Sequence, residues 1–224
     1  YCAVTLKVMA ENRQEFCRLM GEVMPVFSKY DWRLIHHLGL DKSAASVGGS
    51  RSDHPDIFYH LWQIPSFDSL ISVMNLAADT GAYVELDKLV ISEVQNAAVS
   101  AYYDPAAAAG ADEDSDDHKQ QRFMLEELDM VRDPALCNEF AVQMNTTVVA
   151  MHSKFQWKLL HAFIGSTGQT NRWVHLWGVP ADCDHDEAVR YYRTSDTPWS
   201  EAYRKTVKTW RQSWWEPVSY GGGE

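Results

Sequence analysis

Polar and apolar residues change rhythm along this chain, and each rhythm predicts an element. Residues 3–8 alternate, with Val4, Leu6 and Val8 on one side, as in a half-buried strand. The segment after them carries Phe16, Leu19, Met20, Val23 and Phe27 at three- and four-residue intervals, the apolar stripe of an amphipathic helix. Residues 32–38 and 57–64 are rich in β-branched and aromatic side chains and read as two more strands. Ser66 stands where a helix cap belongs, and Val99-Ser100 falls in a closing strand. The order then starts again. Asp133-Pro134 supplies an N-cap and a first-turn proline, followed by Leu136, Phe140 and Met144 at four-residue steps. Thr197-Pro198 caps a later helix that carries Trp199, Ala202, Tyr203, Thr206 and Trp210, and Val218-Ser219 falls in the second closing strand. Each half reads strand, helix, strand, strand, helix, strand.

The recurrence is literal in places. The run S-K-Y-D-W-R-L-I-H-H around Trp32 returns as S-K-F-Q-W-K-L-L-H-A around Trp157, 125 residues later (157 − 32). Y-H-L-W-Q-I-P returns as V-H-L-W-G-V-P, its proline moving from Pro65 to Pro180, 115 residues later (180 − 65). The ten missing residues lie where the first copy has the loop with Val47-Gly48-Gly49-Ser50. A period of this length exceeds the roughly 20–50 residues of a solenoid unit and matches a small domain. The predicted fold class is α+β, two tandem ferredoxin-like (βαββαβ) units forming a dimeric-α/β-barrel-type pseudo-dimer. The expected boundaries are 1–104 for the first repeat, 105–121 for a linker and 122–220 for the second repeat. The linker holds Pro105, four alanines, Gly110 and an acidic run ending at Asp117, which cannot build a core and repels itself. Gly221-Gly222-Gly223 reads as a disordered tail.

Composition narrows the classes. The net charge of −11 opposes phosphate backbones and anionic membranes, so neither nucleic acid nor membrane is an expected partner. No run reaches the ~18 apolar residues of a membrane span, and no signal peptide is visible, which predicts a cytoplasmic protein. The sequence starts at Tyr1, which leaves room for an upstream segment. Cys2, Cys17, Cys137 and Cys183 show no C-x-x-C spacing and read as reduced thiols rather than a disulfide frame or a zinc site.

Period-two alternation gathers the candidate chemistry. One face of the second strand carries Trp32, Leu34 and His36, and its copy carries Trp157, Leu159 and His161. One face of the third strand carries Phe58, His60, Trp62 and Ile64, and its copy carries Trp173, His175, Trp177 and Val179. Tyr59 and Leu61, with Val174 and Leu176 as twins, suit packing against helices, so the Trp/His faces are expected to look into the space between the two sheets. That would make a concave site with aromatic walls and four histidines, which are costly to satisfy in a dry core. No nucleophile elbow, phosphate loop or dinucleotide turn is present. Val47-Gly48-Gly49-Ser50 with Arg51 reads as a flexible loop, and Asp182-Cys183-Asp184-His185-Asp186-Glu187 as a solvated acidic turn, with no metal site.

The second half resembles the NIPSNAP family. The resemblance is carried by Glu126-Glu127-Leu128, by Val174-His175-Leu176-Trp177, and by Tyr191, Tyr192 and Arg193 ahead of Asp196 and Trp199. The first half shares His60-Leu61-Trp62 but has Asp79-Thr80-Gly81-Ala82-Tyr83 where the family has an acidic residue and an aromatic one, so it is the more divergent copy. The resemblance implies the dimeric α/β-barrel superfamily, which houses cofactor-independent monooxygenases, isomerases, cyclases, dehydratases and haem enzymes. Fold alone does not choose among these.

A histidine in an aromatic cavity can give and take protons near neutrality, and tryptophan walls suit a planar apolar ligand. The expected function is therefore acid–base chemistry on a small apolar or aromatic metabolite, by an isomerase, cyclase, dehydratase or cofactor-independent monooxygenase. His175, His161, His60 and His36 are the catalytic candidates, with His175 and His161 foremost. Trp32, Trp62, Trp157, Trp173, Trp177 and Glu126 are the binding candidates, Glu126 as a partner that orients an imidazole. No cofactor is expected. A haem or metal protein using one of the histidines is one alternative and a non-catalytic binding protein another. A homodimer stays open.

Overall fold

A computed structural model describes residues 1–41, 55–66, 68–69, 80–100, 121–165, 171–194 and 197–220. The expected linker and glycine tail lie outside the described residues, as does the Val47-Gly48-Gly49-Ser50 loop. The chain divides into two compact units, Tyr1–Ala97 with Glu216–Glu224 and Ala98–Trp215. Unit 1 holds β1 (Cys2–Val8), α1 (Arg13–Ser28), β2 (Arg33–Leu40), β3 (Asp56–Gln63), α2 (Gly81–Leu89) and most of β4 (Val90–Ser100). Unit 2 holds β5 (Gln121–Met130), α3 (Pro134–Phe155), β6 (Lys158–Gly165), β7 (Arg172–Pro180), α4 (His185–Thr194), α5 (Pro198–Thr206) and nearly all of β8 (Val207–Pro217). The fold is α+β with two ferredoxin-like units in tandem, as the rhythm of the sequence predicts.

Each unit is a four-stranded antiparallel sheet, ordered β4-β1-β3-β2 in unit 1 and β8-β5-β7-β6 in unit 2. The compact units do not end with their closing strands. The end of β4 belongs to unit 2, where Ala98, Val99 and Ser100 pair with Gly165, Ile164 and Phe163 of β6. The residues after β8 belong to unit 1, where the Val218 N–H donates to the His37 carbonyl at 3.0 Å. Val218 thus follows the closing strand rather than lying in it. Gly39 makes this approach possible, because a Cβ there would meet Val218 Cγ2 at 2.9 Å.

Local chemistry sets the helix ends. Asp133 Oδ1 accepts the Ala135 and Leu136 N–H groups at 2.9 and 3.2 Å, with Pro134 in the first turn of α3. Thr197 and Ser200 form a capping box on α5. Ser66 Oγ accepts the Ser69 N–H at 3.2 Å, the cap expected there. After α1 and α3 the chain turns through left-handed residues at equivalent places, Asp31 (φ 60°) and Gln156 (φ 57°). Each turn then delivers a tryptophan, Trp32 or Trp157, at the start of the next strand.

Candidate functional site

The Trp/His faces point under the helices, not away from them. His60 stacks near Phe16 of α1 with centroids 6.4 Å apart, and Trp62 lies 4.9 Å from Phe27 of the same helix. In unit 2, His175 and Trp173 lie 6.4 and 5.5 Å from Phe140 of α3, and Trp177 lies 5.8 Å from Tyr192 of α4. Trp32 and Trp157 belong to the same two cores. The expected placement of His60, His175, Trp32, Trp62, Trp157, Trp173 and Trp177 on the helix-free face is therefore corrected. Alternation identifies which residues share a face but not which face the helices cover. Here both faces are apolar, since Tyr59, Leu61 and Leu176 are buried as well.

His36 and His161 are corrected in a second way, because they do not share a face with the tryptophans. The β2–β3 register runs Leu34↔Trp62 and then His36↔Leu61, and the β6–β7 register runs Leu159↔Trp177 and then His161↔Leu176. One extra residue, Ile35 or Leu160, bulges out at the same place in both copies and inverts every later side chain. His37, paired with His60, takes the helix-side position meant for His36. His161 stacks on Phe163 at 5.5 Å across the opposite face, where burial lowers its pKa to about 4.

Beneath α1 and α2, unit 1 encloses a cavity of about 60 Å³. Trp32, Trp62, Phe27 and Tyr83 form its aromatic walls, Cys2, Val4 and Leu6 of β1 its floor, and His60 is the imidazole among its described lining residues. Asp87, Glu93 and Gln95 are exposed and stand at its mouth. The aromatic walls and histidine expected from sequence do meet, but on the helix side and in the first half. His60 Nε2 is hydrogen-bonded to the Tyr220 hydroxyl, and the two rings meet edge-on at 5.4 Å. Burial, aided by neighbouring His37, lowers the His60 pKa to about 3, so its imidazole is neutral at physiological pH. Burial also pushes the Tyr220 phenol well up, the Cys2 thiol to about 11 and the Tyr83 phenol to about 12, the latter two helped by Glu93.

The strand registers give the equivalent positions in unit 2, and these are bulkier. Cys2 pairs with Trp62 as Met124 pairs with Trp177, and Leu6 pairs with Glu93 as Leu128 pairs with Trp210. Met124, Trp157, Trp173, Trp177, Tyr192 and Trp199 pack into one continuous core. Val4, opposite His60, becomes Glu126, opposite His175. Glu126 is fully buried, and its carboxylate has three donors. Oε2 accepts from His175 Nδ1 at 2.9 Å and from the Tyr192 hydroxyl at 3.1 Å, and Oε1 accepts from Trp210 Nε1 at 2.6 Å. The expected pairing of Glu126 with an imidazole is present. Arg193 lies over the Trp210 ring, and burial lowers its pKa. A separate cleft of about 160 Å³ lies between α3 and the α4–α5 segment, lined by Gln143, Thr147, Tyr192 and Trp199 among others.

The acidic turn behaves as a helix entry, with Asp184 Oδ1 accepting the Glu187 N–H at 2.9 Å. Cys183 Sγ sits 3.1 Å from His185 Nδ1 and accepts Trp157 Nε1 at 3.2 Å, yet burial raises its pKa, so it is not an activated thiolate. All four cysteines are free thiols. No described helix is long and apolar enough to cross a membrane.

Neither a protein-family model nor a curated protein matches the sequence. Solved structures do match the fold. A putative monooxygenase from Lactobacillus acidophilus NCFM superposes with a TM-score of 0.52 at 13% identity, over 98% of this chain and 96% of that one. A mutant chlorite dismutase from Candidatus Nitrospira defluvii gives 0.53 at 10% identity, over 96% and 92%. A putative chlorite dismutase gives 0.51 at 12% identity, over 98% and 95%. The fold is that of the dimeric α/β-barrel proteins. At these identities the likeness concerns fold and carries no activity with it.

The haem alternative needs an imidazole free to act as a ligand and room for the group. Two helix-side imidazoles are committed, His60 Nε2 to Tyr220 and His175 Nδ1 to Glu126, and both rings lie against a phenylalanine. The cavities described above, about 60 and 160 Å³, are too small to hold a macrocycle the size of haem. No group of three or more His, Cys, Asp or Glu able to hold a metal ion occurs among the described residues. His60 and His175 are therefore not placed to ligate a haem, while His36 and His161 lie on the other face of their sheets.

Sequence reasoning missed Tyr220, Tyr83 and Glu93. Tyr220 reaches His60 from the far end of the chain, and no local pattern signals that. Glu93 is legible only from the register, which makes it the counterpart of Trp210.

Proposed function

We propose that the chain is a small-molecule enzyme that works in the unit 1 cavity on an apolar or aromatic metabolite without a resident cofactor. One observation carries this reading: the position that is hollow and aromatic-walled in unit 1 is built solid in unit 2. A neutral imidazole beside a phenol is suited to hydrogen-bonding and polarising a substrate oxygen, as neutral histidine electrophiles do, rather than to carrying a proton. His60 with Tyr220 therefore replaces His175 and His161 as the pair to test, since His60 lines the cavity and His175 does not. Isomerisation, cyclisation, dehydration and oxygenation of an electron-rich ring all fit such a site. The NIPSNAP resemblance of unit 2 and a cytoplasmic setting with four free thiols belong to the same proposal.

Titrating the intrinsic tryptophan fluorescence with a panel of small aromatic alcohols, ketones and amines, followed by turnover assays on the binders, tests it. The expected result is saturable binding that Cys2→Met abolishes by placing the unit 2 side chain in the cavity. Turnover should drop about 10²-fold in His60→Gln, as for loss of one oriented donor. Binding that ignores Cys2→Met overturns the assignment. A non-catalytic binding protein is the second reading, favoured by the low His60 pKa, which leaves the imidazole a poor base. Cys2-sensitive binding without any product by mass spectrometry would select it.

A further inference from the structure

Resting on the reading that the unit 1 cavity is the ligand site, we propose that its ligand is an amine, an apolar or aromatic body with a cationic nitrogen at the cavity mouth. The aromatic walls form one contiguous cluster along the cavity. Phe27 lies 4.9 Å from Trp62 and 6.4 Å from Tyr83, and Trp32 lies 5.8 Å from Trp62. Indole, phenol and phenyl faces attract a cation through their quadrupoles, more strongly as water is excluded.

Charge at the mouth has the same sign preference. Among the described lining residues the charged ones are Asp87 and Glu93, with no lysine or arginine. Both carboxylates act on the Tyr83 phenol of the cavity wall, helping burial to hold it protonated. An ammonium group there meets two opposite charges and an aromatic face, whereas a carboxylate ligand meets like charge, and such repulsion sets specificity. The combination is peculiar to unit 1, because the counterpart of Glu93 is Trp210.

Three probes of near-equal shape separate the charge term from the cavity term: benzylamine, benzyl alcohol and benzoate, titrated by calorimetry and tryptophan fluorescence at neutral pH and low salt. Benzylamine should bind about tenfold tighter than benzyl alcohol, with benzoate weakest, and the gap should shrink at high salt. The Asp87→Asn/Glu93→Gln double variant should bring amine and alcohol within about twofold by weakening the amine alone. Equal or tighter binding of the alcohol or of benzoate overturns the amine inference while leaving the cavity as the ligand site. An amine preference that survives the double variant, or that persists in Cys2→Met, also overturns it. If none of the three binds, the inference fails together with the reading beneath it.

Discussion

The two halves share a plan but spend their interiors differently. At matched register positions unit 1 places Cys2, Val4, Glu93 and Ala97 where unit 2 places Met124, Glu126, Trp210 and Trp214. The larger set fills the space under the helices and adds a buried carboxylate with three donors. The smaller set leaves a void with acidic residues at its rim. A void forfeits packing contacts and a buried polar centre needs complete satisfaction, so one helps recognition and the other helps rigidity. A duplicated chain can assign these opposed demands to different copies, and the contrast fits a trade between stability and function.

The largest test of this contrast is Glu126→Ala. It removes the acceptor shared by His175 Nδ1, the Tyr192 hydroxyl and Trp210 Nε1, and unfolding in urea should show a loss of about 3–5 kcal/mol. The matched change in the hollow half, Val4→Ala, should cost only about 1–2 kcal/mol. Comparable losses would mean that the carboxylate network is not what rigidifies unit 2.

Acid comes next and acts on both halves. The His60 and His161 pKa values lie at about 3 and about 4, below the unfolded value of about 6.5. Between those limits the unfolded chain binds more protons than the native one. Stability is therefore intact above about pH 6.5 and falls as pH drops toward the native values, by about 2 kcal/mol per histidine at pH 5. His60→Gln should remove its share of the slope and leave that of His161. A pH-independent unfolding free energy over this range in the parent protein would contradict the burial of both imidazoles.

Smaller effects sharpen the picture of the cavity. Tyr220→Phe removes the phenol that meets His60 Nε2 and should cost about 1–2 kcal/mol, with a change in ligand affinity if His60 touches the ligand. Cys2→Met should change stability by less than about 1.5 kcal/mol, because it adds volume where a void exists. A loss well beyond that would show that the space cannot take the side chain Met124 occupies in unit 2.

Much of this was legible in the sequence. Repetition gave both units, period and propensity gave the strands and helices, and cap chemistry at Asp133 and Thr197 gave helix starts. The partnership of Glu126 with an imidazole was also readable. The side of the sheet was not, because period two is blind to which face the helices cover and both faces here are apolar. Nor were the bulges after Leu34 and Leu159, where W-x-L-x-H looks like one face but changes face before the histidine. Glu93 and Tyr220 needed the register and a contact across 160 residues of sequence, which no local pattern encodes.

The exchanged strand ends bear on how such a chain matures on the ribosome. Residues 216–220 seat Val218 against Gly39 and Tyr220 against His60, yet they are translated only after the whole of unit 2. The first half to emerge therefore cannot complete its own core by the usual N-terminal-first order. It has to wait, partly assembled, until the last strand of its neighbour has passed through. Seating Tyr220 on His60 then has to follow the synthesis of unit 2, and a nascent chain stalled within β8 would carry an unfinished first core behind a nearly complete second half.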